Sequence, residues 1–96
     1  MRKQPAVYIL SNKREGSLYI GVTSNPVQRI WQHKNNFVPG FTQKYNLHKL
    51  VYIELFDNME TAIQFEKRLK KWHRKWKLEL IEKKNPEWSD LYSDII

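Results

Sequence analysis

The chain has 96 residues, with seventeen Lys and Arg against ten Asp and Glu and a formal net charge of +7. That length supports one domain with a single modest core, and the absence of Cys excludes disulfides and thiolate metal sites while suiting a reducing cytoplasm. No apolar run reaches the length of a membrane span or a signal-peptide core, so a soluble cytoplasmic protein with no membrane partner is the default expectation.

Residues 6–10 (Ala-Val-Tyr-Ile-Leu) and 17–22 (Ser-Leu-Tyr-Ile-Gly-Val) are β-branched and aromatic runs separated by a polar stretch, which predicts a hairpin. Ser24-Asn25-Pro26 supplies a cap residue followed by Pro at the first helical position, predicting a helix to about Lys34. Residues 35–47 read as a loop carrying Pro39 and Gly40, with one helical turn near Tyr45. A third strand is expected at about 49–56, and Asp57 or Asn58 then caps a helix running to about His73. Another helix, Lys75 to Lys84, stops at Asn85-Pro86, and Trp88, Leu91 and Tyr92 of the tail are expected to pack back onto the body. The order β-β-α-β-α-α predicts an α+β fold with a small, three-stranded, largely antiparallel sheet flanked by helices, as one domain over residues 1–96.

Val7 and Ile9 share one face of the first strand, and Leu18, Ile20 and Val22 share one face of the second. Burying both sets together requires facing pairs whose numbers sum to an odd value. A sum of 27 pairs Ile9 with Leu18 and Val7 with Ile20, and sets Tyr8 directly across from Tyr19. Gly21 falls on the tyrosine face, leaving a gap for close approach of backbone or ligand. A cross-strand aromatic pair by itself needs no function, since it stabilises a hairpin by a few tenths to about 1 kcal/mol.

Arg29 and His33 lie four apart, on one helical face, where two donors can converge on a phosphate or simply meet solvent. Ile30 and Trp31 beside them can anchor the helix on the sheet. In the later helix Ala62, Phe65, Leu69, Trp72 and Trp76 form an apolar stripe, with Glu66 on its margin. That carboxylate reads either as a group reachable from a cleft or as the i,i+4 partner of Lys70. Lys67, Arg68, Lys70, Lys71, Arg74, Lys75 and Lys77 crowd one stretch interleaved with Trp72, His73 and Trp76. Basic residues mixed with rings that can stack on bases point to nucleic acid rather than to a generic anion.

Other chemistries fit poorly. His33, His48 and His73 lack zinc-site spacing, and Asp57 and Glu60 are explained as helix-start residues rather than as members of a two-metal carboxylate cluster. There is no Gly-rich phosphate loop and no nucleophile elbow.

Val7-Tyr8-Ile9, then Tyr19-Ile20-Gly21, an Arg and a His on the next helix and a lone Glu later resemble the GIY-YIG endonuclease family, in particular its small stand-alone bacterial members. The resemblance covers nearly the whole chain, with Val7 standing where the name-giving Gly would be. It implies metal-dependent cleavage of DNA phosphodiester bonds by Tyr8, Tyr19, Arg29, His33 and Glu66. Glu66 would be the sole protein ligand of one divalent cation, Mg2+ or Mn2+, with waters and phosphate oxygens completing the shell. Gly21, Tyr45, Lys67, Lys70, Lys71 and Arg74 would contact substrate. Some relatives carry a Lys directly after the second motif, where this chain has Val22, which leaves more of the proton handling at the attacking water to His33. Arg29 would offset charge on the phosphoryl oxygens, a role whose loss typically costs ~10²–10³ in rate. Either tyrosine can be the base, although bringing a phenol from about 10 to about 7 takes roughly 4 kcal/mol. Larger members attach a DNA-reading domain for which this chain has no room. Weak sequence specificity, structure-selective recognition or targeting by a partner protein is therefore expected. The competing reading is a non-catalytic nucleic-acid-binding module that uses the same basic face.

Overall fold

The computed structural model describes residues 4–96. Strand β1 (Ala6–Ser11) is followed by β2 (Leu18–Thr23), helix α1 (Pro26–Lys34), the one-turn helix α2 (Phe41–Lys44) and strand β3 (Lys49–Leu55). Helices α3 (Met59–Lys71) and α4 (Arg74–Lys84) and a final 3-10 turn (Leu91–Asp94) complete the chain. The strands form one sheet in the order β2-β1-β3, antiparallel at both junctions. The fold is α+β. Asn25 caps α1 by accepting from the Gln28 N–H, with Pro26 at the first helical position, and Asn58 caps α3 by accepting from the Thr61 N–H.

Because β1 is central, every one of its residues is buried, including Ser11. One face packs Val7, Ile9 and Ile20 against Ala62 and Leu69 of α3, Ile81 of α4 and the fully buried Trp88. The opposite face packs Tyr8, Leu10 and Leu50 against Ile30 of α1 and Leu47. Half-buried Leu91, Tyr92 and Ile95 from the C-terminal turn close that second layer. The tyrosine face is therefore a core face, not an open one. Between β1 and β3 the pairing jumps from Ile9–Tyr52 to Leu10–Leu50, so Val51 is a bulged extra residue. Its carbonyl is satisfied by the buried Asn85 side-chain amide at 3.0 Å.

The hairpin register differs from the sequence expectation. Facing pairs sum to 29, placing Tyr8 opposite Gly21, Ile9 opposite Ile20 and Leu10 opposite Tyr19. The parity holds, so both tyrosines stay on one face, but they are diagonal neighbours. Two features select this slide. The Tyr8 ring lies over Gly21, where a Cβ would fall on its Cζ and Oη atoms. The longer loop is also self-satisfied, since Asn12 Oδ1 accepts from the Ser17 N–H and Ser11 Oγ accepts from the Lys13 N–H. Arg74 of α4 donates to the Glu15 and Gly16 carbonyls at 2.6 and 2.7 Å, clamping the loop from outside.

Two expected anchors are not in the core. Trp31 is exposed and stacks on Phe37, because it points away from the face of α1 that carries Ile30. Trp76 is exposed as well, since α3 ends at Lys71 and the chain turns before α4 begins, which breaks the stripe.

Candidate active site

Three rings meet on the second face of the sheet. Tyr8 comes from the central strand, Tyr19 from the edge strand and His33 from the last turn of α1. Their centroids are 6.3 Å apart for the two tyrosines, 5.7 Å for Tyr8 and His33, and 5.3 Å for Tyr19 and His33. The buried imidazole is held at both nitrogens: Nε2 lies 3.0 Å from Tyr8 Oη and Nδ1 lies 3.0 Å from Thr42 Oγ1.

Burial pushes the Tyr8 phenol up to about 12, and the neighbouring Tyr19 adds to the rise. The Arg29 guanidinium beside it, through its donor and its charge, pulls the other way, while the Glu66 charge raises it further. Residues from β1, β2, α1 and α3 are thus within electrostatic reach of one phenol oxygen. Burial, then the charges of Arg29 and His48, bring His33 down to about 4, so it is neutral at pH 7.

Proton direction follows from donor accounting. Arg29 can only donate, so if His33 also donated to Tyr8, the phenol proton would have no acceptor. The arrangement that uses each donor has Tyr8 donating to Nε2 and Nδ1–H donating to Thr42. Thr42 was not anticipated from the sequence. Its only signal is a buried polar residue beside Phe41 and Tyr45, two aromatics at i,i+4 spacing that mark one helical turn.

His33 is buried with both ring nitrogens engaged, Nε2 against Tyr8 and Nδ1 against Thr42. Gly21 is likewise filled by the Tyr8 ring and leaves no gap for substrate.

Glu66 is only 8 % exposed, and its Oε2 pairs with Lys70 Nζ at 2.7 Å, so the i,i+4 pair allowed by the spacing is formed. The Lys70 side chain is about half exposed. Such a paired carboxylate can serve a hard, oxygen-liganded cation as a single protein ligand only in exchange for the Lys70 ammonium. No group of three or more His, Asp or Glu is assembled among the described residues, which does not fit zinc.

A groove of about 330 Å³ runs beside the edge strand, lined by Leu18, Tyr19, Ile20, Lys70, Arg74 and Lys77. Of the basic residues expected to contact substrate, Lys70 and Arg74 line it, while Lys67 and Lys71 lie exposed elsewhere on α3. Arg74 is committed to the hairpin carbonyls. Lys77, a member of the basic run that was not among the expected substrate contacts, also lines the groove and donates to the Lys70 carbonyl at 3.2 Å. Tyr45 sits apart on the α2 side, its ring 4.7 Å from that of Phe41.

A small antiparallel sheet carrying two converging tyrosines, with an Arg, a His and a Glu supplied by flanking helices, defines a catalytic domain of the nuclease type. The GIY-YIG catalytic domain matches residues 4–79, and the chain belongs to the GIY-YIG family. It is 43 % identical over 79 residues to a UPF0213 protein of Clostridium perfringens, covering 82 % of this chain and 84 % of that one. A UPF0213 protein of Oceanobacillus iheyensis is 37 % identical over 82 residues, covering 85 % and 94 %. The solution NMR structure of a UPF0213 protein from Bacillus halodurans superposes with a TM-score of 0.57 at 28 % identity, covering 91 % of this chain and 92 % of that chain. Among the described residues no helix is long and apolar enough to cross a membrane.

Proposed function

We propose that the protein is a divalent-metal-dependent endonuclease that hydrolyses DNA phosphodiester bonds, with low sequence specificity or selectivity for DNA structure. The observation that carries this reading is the convergence of Tyr8, Tyr19, His33, Arg29 and the field of Glu66 beside a groove lined by lysines.

Within that reading the tyrosines have unequal work. Taking the Tyr8 phenol from about 12 to 7 would cost about 7 kcal/mol, well beyond the ~4 kcal/mol of an ordinary phenol. Tyr19 is less buried and lines the groove, so it is assigned to the attacking water. Tyr8, held by His33 and Thr42, positions Tyr19 and Arg29. Arg29 offsets charge developing on the phosphoryl oxygens. Glu66 would hold Mg2+ or Mn2+ once Lys70 swings away, and the ion would supply Lewis acidity at the phosphate. Lys70 and Lys77 attract the backbone without reading sequence.

Purified protein incubated with Mg2+ or Mn2+ is expected to nick at least one of single-stranded, nicked, branched or duplex DNA. If all four stay intact, the enzymatic reading falls and the non-catalytic binding module replaces it.

A further inference from the structure

Four of the seven exposed large hydrophobic side chains among the described residues fall between positions 31 and 45, as two ring pairs. Trp31 (47 % exposed) stacks on Phe37 (66 %) with ring centroids 5.3 Å apart and planes 17° from parallel. Phe41 (47 %) and Tyr45 (45 %) pair at 4.7 Å, and the Lys44 ammonium lies 5.4 Å from the Tyr45 ring. Neither pair serves the core, which is built from Ile30, Leu47 and Leu50 at the same end of the molecule.

The surroundings are chemically one-sided. No Asp or Glu occurs anywhere between Glu15 and Glu54, while Arg29, Lys34, Lys44 and Lys49 fall inside that interval. Asp90 reaches in to pair with Lys34, and Lys44 makes no salt bridge among the described residues. Flat exposed rings on a segment that carries four basic residues and no acidic one suit a polyanion that carries aromatic faces. A second copy of this apolar surface would bring only more positive charge. The pair is joined to the tyrosine cluster through the chain itself, because Thr42, next in sequence to Phe41, is the residue that holds His33.

We propose that the Phe41–Tyr45 pair, extended by Trp31–Phe37, is a stacking platform for unpaired nucleobases of a DNA strand whose phosphate lies at the tyrosine cluster. This rests on the nuclease reading for the position of that phosphate. Every base offers a π-face, so the platform binds without sequence choice, but a base inside a duplex cannot reach it. The enzyme's substrate is then DNA with a single-stranded segment at the cut.

Fluorescence anisotropy in EDTA, with a labelled oligo-dT and a duplex of equal length, tests this apart from cleavage. The wild-type chain is expected to prefer the single strand. Phe41→Ala/Tyr45→Ala and Trp31→Ala/Phe37→Ala are each expected to weaken oligo-dT binding ~5–100-fold and leave duplex binding unchanged. Phe41→Leu, which keeps apolar bulk without a ring, is expected to weaken it as well, while Phe41→Trp preserves it. Equal single-strand and duplex affinity in the wild type overturns the proposal. So does undiminished oligo-dT binding by the folded double variants or by Phe41→Leu. Loss confined to binding of anionic phospholipid vesicles also overturns it, and makes the patch a membrane contact. A protein that cuts nothing but shows the expected binding pattern loses the nuclease reading and keeps the platform.

Discussion

Tyr8 and Gly21 face one another across β1 and β2, and the phenol of Tyr8 fills the volume that any side chain at position 21 would need. Gly21 is thus a packing requirement of the tyrosine cluster. Gly21→Ala forces the ring or the strand to move, an overpacking cost of about 1–3 kcal/mol. Thermal unfolding is expected to shift down by roughly 5–20 °C. Tyr8→Ala in the same chain should remove most of the additional penalty of the alanine, which a double-mutant cycle measures.

Thr42 is expected to behave as a positioning residue for His33. Thr42→Val keeps the shape and leaves Nδ1–H without an acceptor, costing about 1–3 kcal/mol in chemical denaturation, while Thr42→Ser stays near the wild type. The reading has a sharper signature in nitrogen NMR of the imidazole. The wild type should carry its proton on Nδ1, with Nε2 accepting from the Tyr8 hydroxyl, and a wild-type imidazole protonated on Nε2 contradicts that proton direction.

His33 also makes stability depend on pH. Its folded pKa, about 4, lies below the ordinary 6.5, so between these values the unfolded chain binds a proton that the native state does not. Stability is therefore complete above about pH 6.5 and falls as pH drops toward 4, by a contribution of order 3 kcal/mol. Asp90 adds a loss at still lower pH. Burial raises its carboxyl, but Lys34 and the backbone N–H groups of Tyr92 and Leu50 outweigh this and hold it below 3.8. Urea midpoints from pH 7 to 4 should fall in the wild type and fall less in His33→Gln. Equal slopes in the two proteins would rule out the assignment.

Much of this architecture is legible before any coordinates. The alternation of Val7 and Ile9 with Tyr8, and of Leu18, Ile20 and Val22 with Tyr19, is enough to put both tyrosines on one face. Parity cannot distinguish two registers that differ by a slide of two residues. That choice depends on ring volume over Gly21 and on side-chain hydrogen bonds inside the loop. Asn25-Pro26 and Asn58 mark their helix starts because capping is local. Thr42 is hidden because its partner is nine residues away in a stretch with no long periodicity. Arg74 looks like any member of a basic run, and only the folded loop reveals that two carbonyls occupy it. The break between the two helices is legible near His73, but the apolar spacing that ran through it to Trp76 could not reveal that this ring is exposed.

Arg74 and Lys77 should separate on substitution. Lys77→Ala is expected to reduce the slope of log affinity for DNA against log salt by about 1. Arg74→Ala is expected to act on the hairpin loop first, making residues 12–17 easier to cleave by protease, because both guanidinium contacts there are lost. Identical salt slopes for the wild type and Lys77→Ala would remove Lys77 from the groove's phosphate contacts.

The central claim is chemical, and Glu66 tests it most directly. Nicking of a branched or single-strand-containing DNA should be followed in Mg2+ for the wild type and for Glu66→Gln, with DNA binding measured in parallel. The expected result is loss of metal-dependent nicking by at least about 10²-fold with binding retained, since a neutral amide no longer holds the cation. Equal nicking by both proteins, or activity in the wild type that persists in EDTA, would contradict it.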